Sequence, residues 1–135
     1  MNKLRLLALG SLLVSGIATA NPACNGFEIK IKNNLTDDLL ISAISLDGAE
    51  ITPVGFDKLN GKTETTFTIN NSNKDIPMHG KFVFHTISLP VREVNIEYTL
   101  ENKGLVCENN TLDTPSDYPV DKSRAVNQVI YAINQ

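Results

Sequence analysis

The chain has two histidines, His79 and His85, and imidazoles are the side chains best suited to act as a base or a metal ligand near neutral pH. His85 stands between Phe84 and Thr86 in an apolar run, where a packed and hydrogen-bonded ring is the usual reason for a histidine. His79 stands in a Pro-Met-His-Gly segment that reads as a loop. A metal site needs three or four converging ligands, and the sequence shows no spaced set around either ring. We therefore predict no metal, no cofactor and no catalytic histidine.

A second group of residues whose side chains could bind a ligand or a cation is acidic. Asp113, Asp117 and Asp121, with Tyr118 among them, lie in the stretch 109–123, which is rich in Asn, Asp, Thr and Pro and shows no periodicity. Their spacing of four does not match the alternating oxygen ligands of a calcium loop. Loops held by a rigid scaffold often carry recognition residues. We predict that these four residues form a candidate binding loop, with an ordinary solvated loop as the alternative.

Motifs for other chemistry are missing from the sequence after residue 20. It contains no G-x-S-x-G, no phosphate-binding glycine loop and no dinucleotide-binding turn. The sequence therefore predicts a protein that is not an enzyme.

The start of the chain resembles a cleavable secretory signal. Lys3 and Arg5 precede an apolar stretch, and Ala18-Thr19-Ala20 provides small residues for cleavage. The apolar stretch is shorter than the roughly 20 residues needed to cross a bilayer. We predict a signal at 1–20 of bacterial type, a single domain at 21–135, and a secreted or periplasmic location.

Cys24 and Cys107 are the only cysteines of the chain. In an oxidising compartment two cysteines are expected to pair, so we predict a disulfide. Closing a loop of about 84 residues should stabilise the fold by roughly 4 to 5 kcal/mol in the chain-entropy model.

The charge balance restricts the partners. The whole chain has a net charge of −3, and removal of Lys3 and Arg5 with the signal leaves 10 basic against 15 acidic residues, a net charge of −5. No basic run or stripe remains to bind nucleic acid, and an anionic membrane surface is disfavoured for the same reason.

The segment 92–108 is the clearest structural element. Val94, Ile96, Tyr98 and Leu100 alternate with polar residues, which predicts a strand with one buried face. A turn at 102–104 should lead into a second strand. A two-residue loop at 102–103 would place Cys107 opposite Tyr98 and facing the core, and the apolar Leu105 favours it; a bulge at Gly104 would turn the cysteine outward.

The remaining segments also predict short strands. A first strand with alternating apolar and polar residues begins at Phe27, and apolar runs at 39–46 and 81–89 predict two more strands. An Asp47-Gly48 hairpin should lead into a strand at 50–52, which Pro53 restricts to the edge of a sheet. A threonine-rich strand is predicted at 62–70, a loop at 71–80, and a last strand at 125–133, where a short helix is the alternative. Seven or eight strands separated by turn residues predict an all-β, antiparallel sandwich of immunoglobulin-like architecture, with a small barrel as the alternative.

Together these features predict an exported, non-enzymatic domain that binds a protein or a glycan through loops or a sheet face. Two alternatives stay open at this point: a secreted inhibitor of a hydrolase, and a lipid-binding or pore-forming sandwich.

Overall fold

The fold consists of two five-stranded β-sheets packed face to face. A computed structural model describes residues 22–72 and 76–135, and this part of the chain contains ten strands and no helix. The strands are β1 (Glu28–Asn33), β2 (Leu39–Asp47), β3 (Glu50–Thr52), β4 (Lys58–Leu59), β5 (Thr63–Asn70), β6 (Met78–Thr86), β7 (Glu93–Lys103), β8 (Val106–Leu112), β9 (Val120–Ala125) and β10 (Gln128–Ile133). The predicted all-β sandwich is confirmed, and the barrel alternative is wrong because neither sheet closes. The number of strands exceeds seven or eight because β3 and β4 have only three and two residues.

The first sheet has the order β3-β5-β1-β10-β9. Its central strand β1 pairs antiparallel with β5 and parallel with β10. The predicted alternation is confirmed, since Ile29 and Ile31 of β1 and Val129 and Tyr131 of β10 are all buried. The end of the chain is therefore a strand and not a helix.

The second sheet has the order β4-β2-β6-β7-β8 and places β6 at its centre, as its apolar sequence predicts. Alternate residues of β7 are fully or almost fully buried from Val94 to Leu100. Aromatic rings join the two sheets, because Phe67 of β5 and Phe82 of β6 lie with their ring centroids 5.0 Å apart. This contact lies in the continuous apolar core that the described residues form.

The hairpin between β7 and β8 differs from both predicted registers. Asn102 pairs with Cys107 and Lys103 with Val106, so the two-residue turn is Gly104-Leu105. Gly104 takes the positive φ of 63° that the first central position of such a turn favours. Cys107 nevertheless faces the core, as the preferred register required, whereas Leu105 is 99% exposed at the tip.

The turn at Asp47-Gly48 and the loop after β5 also differ from the predictions. The chain turns at Asp47-Gly48, but β3 pairs with β5 and not with β2, so this turn carries the chain from the second sheet to the first. Strand β3 lies at the edge of its sheet, in agreement with the restriction from Pro53. The loop predicted at 71–80 ends earlier, because β6 already begins at Met78, and residues 73–75 lie outside the described part.

The irregular stretch predicted at 109–123 is mostly regular structure. Strand β8 continues to Leu112 and β9 begins at Val120, which leaves a loop at 113–119. Both are edge strands, and several of their inward positions are polar, so hydrophobic alternation gives no signal for them.

The predicted disulfide between Cys24 and Cys107 is present and buried. It ties the segment ahead of β1 to the edge strand β8 of the other sheet, and the Cys24 amide donates a hydrogen bond of 2.6 Å to Asn102 Oδ1. A buried disulfide fits an extracellular or periplasmic protein.

The predicted signal at 1–20 lies outside the described residues. Among the residues that are described, none belongs to a helix that is long and apolar enough to span a bilayer.

Candidate functional site

The side of the sandwich formed by edge strands β8 and β9 is only partly closed. The Tyr131 hydroxyl on β10 lies 2.7 Å from the Thr111 hydroxyl on β8, and the Arg124 guanidinium on β9 donates to the Asn109 carbonyl on β8. Both contacts join one sheet to the other. Next to them a cavity of about 390 Å³ opens between the two edges, beneath the loop 113–119. We call this cavity the β8–β9 cleft.

The walls of the cleft combine apolar side chains with two aromatic rings. Tyr131 is fully buried at the base, and Tyr118 is half-buried in the loop. The Arg92 guanidinium lies 5.9 Å from the centroid of the Tyr118 ring, within the range of a cation–π contact. The apolar residues that complete the lining are Ile96, Leu112, Pro119 and Val120.

The loop over the cleft is bound to the edge of β7. The Asn95 amide donates to Ser116 Oγ at 2.7 Å, and the Ser116 hydroxyl returns a bond of 3.1 Å to the Asn95 carbonyl. The Asp117 amide donates to the Glu93 carbonyl at 2.8 Å, while Asp117 Oδ2 accepts from the Glu93 amide at 2.6 Å. These bonds continue the pairing with β7 beyond the end of β8. The loop is therefore a fixed wall of the cleft.

Two charged groups in the cleft are not paired. The Lys122 ammonium and the Asp113 carboxylate both line the cavity, and neither has a hydrogen-bond or ion-pair partner within residues 22–72 and 76–135. Burial lowers the pKa of Lys122 below its usual value, and the neighbouring charge of Arg124 lowers it further. The fold thus places an exposed ammonium and an exposed carboxylate on the lining of the cavity, without a counter-ion for either in the described residues.

A buried polar cluster lies behind the base of the cleft. Burial raises the pKa of Tyr131, an effect that hydrogen bonds from Thr111 and Asn109 and the charge of Arg124 partly oppose. Burial raises the pKa of Tyr98 far above its usual range, and Tyr131 adds to this shift. The Tyr98 hydroxyl and Asn109 Oδ1 are buried without a hydrogen-bond partner in the described residues. Unsatisfied buried polar groups are rare, and they mark this end of the core as unusual.

The structure separates the four residues of the candidate binding loop. Asp113 and Tyr118 line the β8–β9 cleft, whereas Asp117 lines an adjoining shallow cavity and is bound to Glu93. Asp121 belongs to β9 instead of the loop, and its Oδ2 accepts a bond of 2.7 Å from Asn134. No set of three or more metal-ligating side chains converges anywhere in the described residues.

Neither histidine lines the cleft. His85 is half-buried and its Nδ1 lies 2.7 Å from the Ser42 hydroxyl, so the predicted hydrogen-bonded ring is confirmed. Ser42 occupies a bulge in β2, and the pair does not line the cleft. His79 lies on β6 and not in a loop, with an exposed ring whose Nε2 is 3.7 Å from a Glu97 oxygen.

A separate surface at the opposite end of the sheets is apolar. Leu105 and Val126 form the tips of the β7–β8 and β9–β10 turns and are 99% and 97% exposed. Together with Val106 they line one shallow groove. The turns require the positive φ of Gly104 and Asn127, but nothing in the turn geometry requires an aliphatic neighbour.

Sequence reasoning missed the residues that define the cleft most sharply. The pattern predicts an ordinary strand residue at Tyr131, and it places Thr111 and Lys122 in the irregular stretch 109–123. One signal was present in the sequence: in 120–124 every second residue is Val, Lys or Arg, so a strand here must direct cations towards the other sheet or towards solvent.

Comparison of the chain with protein-family models and with curated proteins gives no match.

Proposed function

We propose that this chain is an exported, non-enzymatic binding domain that holds a segment of a protein or glycan partner in the β8–β9 cleft. One observation carries the proposal: a rigid cavity presents an unpaired cation, an unpaired carboxylate and an aromatic ring together. Ligand sites are typically concave and largely apolar, with a few fixed polar groups that orient the ligand. The cleft is concave, its lining is divided between apolar and polar residues, and its volume of about 390 Å³ lies within the usual range for such sites.

The proposal of export has two supports. The sequence begins with a secretory-type segment at 1–20, and the chain carries a buried disulfide that an oxidising compartment would maintain. The proposal of a non-enzymatic role rests on the absence of catalytic motifs from the sequence after residue 20.

The stiffness of the site supports binding without large rearrangement. The loop wall is bonded to β7, and Tyr131 fixes the base by its bond to Thr111. A preformed site loses less conformational entropy when a ligand binds than a mobile one does.

The test is binding of the purified, disulfide-bonded protein to arrays of peptides and of oligosaccharides. We compare the wild type with Lys122→Met and Asp113→Asn, and use Lys81→Met as the matched control. Lys81 is an exposed lysine of β6 that is unpaired in the described residues and lies outside the cleft.

We expect a set of array ligands that the wild type and Lys81→Met bind and that both cleft variants bind at least about tenfold more weakly. Thermal unfolding of every variant verifies that the fold is intact. Binding that is unchanged in both cleft variants, or the absence of any bound ligand from both arrays, would overturn the proposed site.

A further inference from the structure

We propose that the cleft recognises an acidic peptide segment, with a carboxylate of the peptide bound to the Lys122 ammonium. This inference rests on the proposed function, because it names the ligand class of the same site.

The two cations that β9 directs towards the other sheet have different roles. Arg124 is committed, since its guanidinium binds the Asn109 carbonyl on β8. Lys122, two residues earlier, lines the cleft and has no partner in the described part of the chain. Inward-facing charges protect edge strands from pairing with other chains, and Arg124 already supplies one. That protective role does not require a second cation, exposed and on the lining of the cavity.

The uncharged polar groups of the cleft are bonded to one another. The Thr111 hydroxyl is bonded to Tyr131, and the hydroxyls of Thr114 and Ser116 both donate to the Asn95 carbonyl. The Asn95 side-chain amide donates to the Pro115 carbonyl. Specific sugar recognition depends on free groups that can bond ring hydroxyls, and here most such groups are occupied. The free chemistry of the cleft is charge and apolar surface, which favours a peptide over a glycan.

The apolar lining supplies the second part of peptide recognition. Ile96, Leu112 and Val120 face the same cavity as Lys122, and Tyr118 adds its ring. A peptide with a carboxylate side chain and an apolar neighbour would satisfy both features, since it brings one anion and one apolar group. Asp113 on the opposite wall would disfavour a second carboxylate and so limit the number of acidic residues that the site accepts.

The electrostatics of Lys122 agree with this geometry. Burial and the charge of Arg124 both disfavour the ammonium form, which lowers its pKa. A bound carboxylate would act against both effects, so binding of the ligand should raise the pKa of Lys122. The remainder of the chain is acidic, and an acidic ligand would therefore be attracted by this local site and not by the protein as a whole.

The probes are two pools of labelled peptides that differ at one position, with Asp or Glu in one pool and Asn or Gln in the other, and apolar residues beside it. Fluorescence anisotropy measures their affinity for the wild type, for Lys122→Met, for Lys122→Arg and for Lys81→Met. We expect the wild type to prefer the acidic pool by about tenfold, which corresponds to one charge-assisted contact. The preference should disappear in Lys122→Met, persist in Lys122→Arg, and be unaffected in Lys81→Met.

A second measurement identifies where the probe binds. NMR of the labelled lysine side chains should show the pKa of Lys122 rising when the acidic pool is added, and backbone shifts should change in β8, β9 and the loop 113–119. Equal affinity for the two pools, no affinity for either, or an acid preference that survives Lys122→Met would overturn the inference.

The outcomes also separate this inference from the proposed function. Pools that bind in the cleft without an acid preference would overturn only the ligand class. Uronic-acid oligosaccharides that bind through Lys122 while acidic peptides do not would likewise replace the peptide by a glycan and leave the site intact. Shift changes confined to residues away from the cleft would overturn the proposed function itself.

Discussion

The hydroxyl of Tyr131 lies 2.7 Å from the hydroxyl of Thr111, and this contact connects the two sheets of the sandwich beside the cleft. Tyr131 is fully buried, whereas Thr111 belongs to an edge strand. Tyr98, the other buried tyrosine, has no such partner in the described residues. The pair of tyrosines therefore offers a direct comparison of a satisfied and an unsatisfied buried hydroxyl.

Tyr131→Phe should lower the free energy of unfolding by about 0.5 to 1.5 kcal/mol, because it removes a buried hydrogen bond and leaves the Thr111 hydroxyl without its partner. Urea denaturation followed by circular dichroism gives the value. Tyr98→Phe is the matched control and should leave the stability unchanged or raise it by up to about 1 kcal/mol, because it removes a buried hydroxyl that has no hydrogen bond. A larger loss for Tyr98→Phe than for Tyr131→Phe would contradict this assignment of partners.

Gly80→Ala should destabilise the protein by about 1 to 3 kcal/mol. Gly80 lies opposite Tyr98 in the β6–β7 ladder, and an added Cβ would overlap the hydroxyl end of that ring and come within 2.9 Å of the Ser45 carbonyl oxygen. The double variant with Tyr98→Phe should recover only a small part of the loss, since it removes the overlapping hydroxyl but keeps the ring carbon Cζ, which lies equally close to the added Cβ. A double-mutant cycle measures the coupling, and strictly additive effects would argue against direct contact between the two residues.

Alkaline pH should destabilise the protein through its buried tyrosines. The pKa of Tyr98 is raised in the folded state, and the unfolded residue ionises near pH 10, at about its usual value. The stability that Tyr98 contributes is therefore fully present below about pH 10 and is lost as the pH rises from there towards the folded pKa, because only the unfolded chain is ionised in that range. Denaturation curves between about pH 8 and about pH 11 should fall less steeply with pH for Tyr98→Phe than for the wild type. Parallel curves would show that Tyr98 is not the group responsible.

Removal of the disulfide should lower the free energy of unfolding by about 4 kcal/mol, because Cys24 and Cys107 are 83 residues apart and the bond restricts a long segment of the unfolded chain. The variant Cys24→Ala with Cys107→Ala avoids free thiols. A reducing agent provides the control: it should lower the stability of the wild type to a similar level and leave the variant unaffected.

The aliphatic tip Leu105 should contribute almost nothing to folding. Leu105→Ser should change the free energy of unfolding by less than about 0.5 kcal/mol, because the side chain is 99% exposed. Gly104→Ala in the same turn is the contrasting variant and should cost about 1 kcal/mol, since Gly104 has a φ of +63°. A large loss for Leu105→Ser would indicate that this tip is covered by another part of the molecule.

The sequence predicted the elements whose two faces differ in polarity. The alternation in β1, β7 and β10 marked their buried faces correctly, and the apolar run of β6 placed that strand at the centre of its sheet. The disulfide followed from the cysteine count together with the secretory-type segment. These inferences depend on local patterns that burial imposes directly.

Other features depend on contacts that no local pattern records. The turn at Asp47-Gly48 was recognised, but the sheet that receives the next strand is a property of the whole topology. The segment Asn102-Lys103-Gly104 offers more than one turn, and the apolar Leu105 gave a wrong indication because it lies at the tip instead of in the core. The start of β8 was predicted, but its continuation beyond Glu108 and strand β9 were not, because Asn109, Lys122 and Arg124 place polar groups at inward positions. Those same residues border the candidate site.

The parallel pairing of β1 with β10 has a mechanical consequence. The two strands run in the same direction over six paired positions, so Cys24 lies ahead of one end of this ladder and Gln135 beyond the other. Tension applied between these points would shear β1 against β10, so the hydrogen bonds at all six paired positions would bear the force together. A ladder loaded in this way resists extension better than one whose hydrogen bonds break one at a time. Tension at Cys24 would also reach β8 of the other sheet through the disulfide to Cys107.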